Sequence, residues 1–240
     1  MVMDQEKLIE TLINAGAASV GCADMAPVPF AASRGLTTGI SITFPFTHAH
    51  LARRPGLITA DPEYIEAYYD FCSRLDPMVE AGVELLRAAG HQAEGYGYYT
   101  FFDRTGDDMD PSLRLTAYYQ HKTTATRAGL GWIGRMGVLV TREFGPHIWL
   151  ATILTDAKMT TASPITEARC GNCRRCVEAC PAGAIKGAAW NVGQTRDDLV
   201  DIEKCQAHRR LRGQGLRAPM CGLCLAACPF GAGHANRAGT

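Results

Sequence analysis

Eight cysteines in the C-terminal part of the chain leave little freedom in how that part can fold. Residues 170–181 read Cys170-Gly171-Asn172-Cys173-Arg174-Arg175-Cys176-Val177-Glu178-Ala179-Cys180-Pro181, and a second run, Cys221-x2-Cys224-x3-Cys228-Pro229, follows with Cys205 between the two. The C-x2-C-x2-C-x3-C-P spacing is the one that holds [4Fe-4S] clusters. Three cysteines at two-residue intervals wrap one set of irons, while the fourth, beyond the loop, points away and serves the neighbouring cluster. On that geometry Cys170, Cys173 and Cys176 share a first cluster with Cys228. A symmetric repeat would put a further cysteine three residues before Cys221, where Ala218 stands. Cys205 is the remaining nearby cysteine, so Cys180, Cys205, Cys221 and Cys224 make the second set.

The same spacing argues against other cysteine chemistry. A zinc ribbon uses C-x2-C pairs but has no need of a third cysteine at the same interval or of a Cys-Pro three residues on. Disulfide-dense chains are usually short and secreted. With 240 residues, 47% of them hydrophobic, the chain can bury a true core beside a ferredoxin-like cluster module. Two domains are expected, an α/β (α+β) domain over residues 1–160 and a two-cluster module over 161–240. The formal net charge is zero, which gives no general bias toward nucleic acid or membrane. The N-terminus interleaves Asp4, Glu6, Lys7 and Glu10 with apolar residues, unlike a secretion signal. No apolar run approaches the roughly 18 residues of a membrane span. A cytoplasmic protein is expected, where thiols stay reduced.

From the N-terminus, residues 4–15 place Leu8 and Leu12, with Ile9 and Ile13, on one helical face closed by Gly16. Residues 19–23 form a short strand in which Cys22 is a small buried hydrophobe. Residues 39–46 alternate as a half-buried strand that stops at Pro45. Asp61-Pro62-Glu63 opens a long helix, with Cys72 in a structural role. Asp76-Pro77 should break or kink it, and a second helix runs to Ala89 and ends at Gly90. Residues 92–102, rich in tyrosine and phenylalanine, read as a strand.

The second informative stretch begins with a helix over residues 112–128. It leads into Gly129-Leu130-Gly131-Trp132-Ile133-Gly134-Arg135. These glycines precede a strand instead of following one, so they are not a dinucleotide fingerprint. Such dense glycine signifies close approach of backbone to a ligand or to the cluster module. The apolar segments 138–141 and 148–155, on either side of Glu143-Phe144-Gly145-Pro146, read as a β-hairpin.

Residues His121-Lys122, the glycine-tryptophan segment through Arg135, Leu154-Thr155-Asp156 and the cysteine runs together resemble the core of epoxyqueuosine reductases and the related reductive dehalogenases, most strongly over about residues 115 to 230. The resemblance implies a nitroreductase-like α/β domain that binds cobalamin, fused to a two-cluster ferredoxin-like module. It implies an oxidoreductase in which the clusters feed electrons singly to cobalt and the cofactor performs the reductive step. It places Lys122, Gly131, Trp132, Gly134 and Arg135 near the corrin.

Two departures qualify what carries over. Where epoxyqueuosine reductases have a proton-donating aspartate in an Asp-Ser-Ala-Pro run, this chain has Leu115-Thr116-Ala117-Tyr118. Tyr118, Tyr119 and His121 are the candidates to deliver a proton instead. The chain also ends soon after Cys228 without the C-terminal helical repeats that help hold tRNA, so tRNA is not the expected substrate. Arg209, Arg210, Arg212, Arg217 and Arg237 make the tail from Lys204 onward basic, a surface for an acidic electron donor such as ferredoxin or flavodoxin, or one that raises cluster potential. Two readings stand: a cobalamin-dependent reductase, and an electron carrier or reductive activator for a separate corrinoid protein.

Overall fold

A computed structural model describes residues 4–45, 62–98, 121–212 and 221–230. These divide into two compact units, the first built on 4–45, 69–98, 121–130 and 149–165, the second on 62–68, 131–148, 166–212 and 221–230.

The first unit begins with helix α1 (Gln5–Asn14), capped by the Asp4 carboxylate accepting from the Lys7 amide at 3.1 Å. Leu8 and Leu12 are buried as their spacing requires. Ile13 is 41% exposed, so the apolar stripe is narrower than expected, one residue to a turn. Gly16, at φ 109°, closes the helix. Strands β1 (Ser19–Asp24) and β2 (Thr38–Pro45) are antiparallel, with Gly21 opposite Ser41, and the connection between them contains the short helix α2 (Pro29–Ala32).

Helix α3 (Pro62–Ala88) runs through Pro77 without ending, so of the expected break or kink, the break does not occur. Proline removes one donor, and because Pro77 stands on the exposed side of the helix, the freed carbonyl can turn to water. Strand β3 (Ala93–Tyr96), helix α4 (His121–Arg127) and strand β6 (Ile148–Thr155) complete this unit, in a sheet of order β1-β2-β6-β3 with β3 antiparallel to β6.

Strand β2 is buried on both faces and not half-buried as its alternation suggested. Ile40, Ile42 and Phe44 pack into a core with Leu8, Leu12, Val79, Val83 and Ile153. Each fully buried aliphatic side chain there contributes roughly 1.5–3 kcal/mol. Gly39, Ser41 and Thr43 face the other way, and α4 covers that side: a Cβ on Gly39 would lie 2.7 Å from the Thr124 methyl. The alternation is hydrophobic and hydroxyl, both beneath helices. The unit is therefore a mixed α/β layer structure.

In the second unit, β4 (Trp132–Ile133) pairs antiparallel with β5 (Leu139–Val140), Trp132 opposite Val140. The hairpin expected between 138–141 and 148–155 does not form. A tight turn is present, with Thr141 and Gly145 exchanging backbone hydrogen bonds at 3.0 and 3.1 Å, but β5 turns back to β4 while β6 joins the four-stranded sheet. The rest of the unit is loop with short helices, α5 (Arg175–Glu178), α6 (Arg196–Leu199), α7 (Ile202–Arg212) and α8 (Leu223–Ala226). No helix of the described residues is long and apolar enough to cross a membrane.

Candidate metal centre

The two cysteine runs share one helical turn, entered differently, from Arg174 at φ −126° and from Gly222 at φ 69°. In the first, Gly171 takes φ 54° and the Cys173 amide donates to the Cys170 carbonyl at 3.1 Å, closing the turn. One helical turn, α5, then carries Cys176, and the Cys180 amide donates to the Val177 carbonyl at 3.3 Å. In the second, Gly222 at φ 69° opens α8, which carries Cys224, and the Cys228 amide donates to the Leu225 carbonyl at 3.0 Å. Ala179 (φ −76°, ψ −8°) and Ala227 (φ −77°, ψ −11°) end the two turns alike. Pro181 and Pro229 follow at once and prevent the helix from continuing.

This repeat gathers the cysteines into two groups. Cys170, Cys173, Cys176 and Cys228 line one open cavity with Gly134, Arg135 and Phe230; the space free of protein atoms, mouth included, is about 310 Å³. Burial raises the Cys176 thiol, and Cys170 and Cys173 raise it further. Burial pushes Cys228 up to about 11, against the amide of Phe230, with further raising from Cys170, Cys176 and Cys173. In the other group, burial raises Cys205, which Arg209 lowers and Cys180 and Cys221 raise. Cys224 is pushed up to about 12, first by burial, then by Cys205, Cys221, Cys180 and Cys176. All eight thiols are half-buried. Thiols so crowded ionise together only when a cation takes up their charge, as bound metal does.

Among the described residues no group of three or more His, Cys, Asp or Glu is arranged to hold a single metal ion. The four cysteines of the cavity line one open space. That suits a polynuclear group better than zinc, whose four sulfurs stand about 2.3 Å from one centre. The donor set, all cysteine, is the one [4Fe-4S] clusters use.

The residues expected near a corrin divide between the two units. Gly131, Trp132, Gly134 and Arg135 all belong to the cysteine unit, where Gly134 and Arg135 line the cavity of Cys170 and its partners. Arg135 donates from Nε to the Cys173 carbonyl at 3.1 Å, from Nη2 to that of Gly171 at 2.7 Å and from Nη1 to that of Gly187. Its guanidinium is thus committed to the cluster loop, a role the sequence signalled only by its place after the glycines. Gly131 carries no side chain because the strand opposite allows none: a Cβ would sit 2.4 Å from the Val140 carbonyl oxygen. Lys122 lies half-buried on α4 in the first unit.

Of the proton-donor candidates, Tyr118 and Tyr119 lie outside the described residues. His121 opens α4, its Nδ1 2.9 Å from the Thr152 hydroxyl. Burial pushes its imidazole down to about 4, so it is neutral at pH 7 and a weak acid there. Cys22 and Cys72 are buried in the first unit, as expected; burial pushes Cys22 up to about 11.

Residues 169–231 match the 4Fe-4S double cluster binding domain. Over 138 residues the chain is 33% identical to the epoxyqueuosine reductase of Gloeobacter violaceus, covering 50% of this chain and 40% of that protein. Over 140 residues it is 30% identical to that of Listeria monocytogenes, covering 55% and 35%. The matches thus span less than half the length of these curated relatives. Among solved structures, a catabolic reductive dehalogenase in complex with 3-bromo-4-hydroxybenzoic acid shares the fold at TM-score 0.66 and 19% identity, over 94% of this chain and 31% of that one. A reductive dehalogenase described as performing B12-dependent dehalogenation aligns at TM-score 0.67 and 18% identity, over 97% and 33%. The epoxyqueuosine reductase of Streptococcus thermophilus aligns at TM-score 0.58 and 18% identity, over 95% and 66%. The chain is an iron-sulfur protein of epoxyqueuosine reductase-like sequence with a double-cluster segment.

Proposed function

We propose that this chain relays single low-potential electrons through two [4Fe-4S] clusters to a cobalamin-dependent reductive reaction. The observation that carries it is the meeting of Cys228 with Cys170, Cys173 and Cys176 at one cavity, across a long gap in sequence. In this reading Cys170, Cys173, Cys176 and Cys228 hold one cluster and Cys180, Cys205, Cys221 and Cys224 the other. A bound [4Fe-4S] cluster accepts and releases one electron at a time. The protein's part is to supply thiolates, fix their spacing and place donors on them. The Ala184 amide donates to Cys180 Sγ at 3.3 Å, and the Phe230 amide hydrogen-bonds Cys228. The bond from Phe230 favours the charged form of the Cys228 sulfur.

Cobalamin enters by likeness to the B12-dependent dehalogenase and would require the first unit to act as a nitroreductase-like cofactor domain. The local geometry gives it less support: Arg135 is occupied by the cluster loop, Gly131, Trp132 and Gly134 belong to the cysteine unit, and the neutral His121 is a weak proton donor at pH 7. The same facts favour a second reading, an electron carrier or reductive activator for a separate corrinoid protein. Either would take electrons from a small acidic donor of the ferredoxin or flavodoxin type, with the basic residues of α7 as its landing surface, in the reducing cytoplasm.

The test is anaerobic reconstitution followed by titration with cob(II)alamin, read by electron paramagnetic resonance and size exclusion. A retained base-off cobalt signal supports the reductase. Reducible clusters with no cobalt retained support the carrier. Iron and sulfide analysis that finds zinc, or no metal, overturns both.

A further inference from the structure

Arg135 differs from the other arginines around the first cysteine run. Arg169, Arg174 and Arg175 are exposed, and water screens their charge. Arg135 is half-buried and lines the cavity together with Cys170, Cys173, Cys176 and Cys228. Its hydrogen-bond partners are three backbone carbonyls, those of Gly171, Cys173 and Gly187. Among the described residues no carboxylate pairs with it, so its positive charge is not cancelled locally.

We propose that Arg135 sets the reduction potential of the cluster held by Cys170, Cys173, Cys176 and Cys228, as a positioning residue whose full charge faces that cluster. The assignment rests on the cysteine ligation proposed above. Two effects act together. The fork of N–H donors gathers the carbonyls of residues 171, 173 and 187, which fixes the turn that presents Cys170 and Cys173 before any iron arrives. A cation in the cavity wall stabilises the more negative, one-electron-reduced state over the oxidised one, because net charge and polar surroundings are what tune such clusters. Arg135 therefore raises the potential of this cluster above the value it would have with a neutral side chain at that place, as Arg209 beside Cys205 does for the other group.

The test compares reconstituted wild type with Arg135→Gln, Arg135→Lys and Arg135→His by iron content and by redox titration followed with electron paramagnetic resonance. Arg135→Gln, with iron retained, is expected to lower one of the two midpoint potentials by a tenfold or larger change in the reduced-to-oxidised ratio, about 59 mV for a one-electron couple. Arg135→Lys should stay within threefold of wild type. In Arg135→His the same potential should fall as pH rises through the imidazole range, beyond any drift of wild type, and this reading survives if the glutamine variant does not hold iron. Unchanged potentials in a fully loaded Arg135→Gln, or a histidine variant that tracks wild type with pH, overturn the assignment. Wild type that takes up no iron is a different failure and sinks the cluster ligation itself.

Discussion

The ring of Trp132 meets that of Phe230 edge-on, with centroids 4.9 Å apart and planes at 79°. Trp132 is buried in β4, while Phe230 stands two residues beyond Cys228 and lines the cysteine cavity. The pair therefore fastens the Cys228 segment to the only regular strand pairing among the described residues of the second unit. Edge-to-face pairs add about 0.5–1.5 kcal/mol beyond burial. Phe230→Ala should destabilise the unit by about 1–2 kcal/mol and hasten loss of iron to a chelator, with Phe230→Leu in between. Iron loss at the wild-type rate in Phe230→Ala would show that Cys228 is held by other means.

The glycines around Trp132 can be ranked by what a methyl group would strike. At Gly131 it would meet the Val140 carbonyl oxygen, part of the backbone; at Gly134 it would lie 2.9 Å from the Val140 Cγ2 methyl, which can turn aside. Gly131→Ala should thus force β4 and β5 apart and cost about 1–3 kcal/mol, clearly more than Gly134→Ala. Denaturant midpoints of the two variants check the order; equal midpoints would mean that β4 yields as a whole.

These rankings draw on contacts that the sequence could not give. The cysteine groups were legible because ligand spacing is a local property: C-x2-C-x2-C forces a turn whatever surrounds it, and the gap at Ala218 singled out Cys205. The partner of β5 was not, because a short apolar strand carries no label for its neighbour, and two such segments beside a tight turn read as a hairpin even when one joins another sheet. Pro77 misled for a related reason, since its cost depends on whether the freed carbonyl faces water. Arg135 was visible as a residue worth naming, but its acceptors are backbone carbonyls of residues 171, 173 and 187, which no side-chain pattern announces.

The division of the cysteines can be tested by single removals. Cys176→Ala should eliminate the cluster of the Cys170 group and destabilise the second unit, whose folding draws on bound metal. Cys205→Ala should eliminate the other and leave the first reducible. Cys22→Ala and Cys72→Ala should leave iron content unchanged. Iron counts with resonance spectra separate the cases, and a Cys205→Ala protein with wild-type iron and spectra would overturn the second ligand set.

His121 gives a prediction about acid. Its imidazole is held down to about 4 by burial, against roughly 6.5 for an unperturbed group. The unfolded chain therefore binds a proton that the folded chain refuses as pH falls from about 6.5 toward 4. The stability that neutral His121 supports is fully present above the upper value and is lost through that window, on the order of 1–3 kcal/mol in total. His121→Gln offers a hydrogen-bonding group to Thr152, the neighbour 2.9 Å from Nδ1, and cannot titrate. The variant's melting temperature should fall less steeply than that of wild type between pH 6.5 and 4, with the two curves parallel above pH 7. Curves parallel throughout would mean that the imidazole is solvated, and would restore His121 as an ordinary acid able to deliver a proton near neutrality.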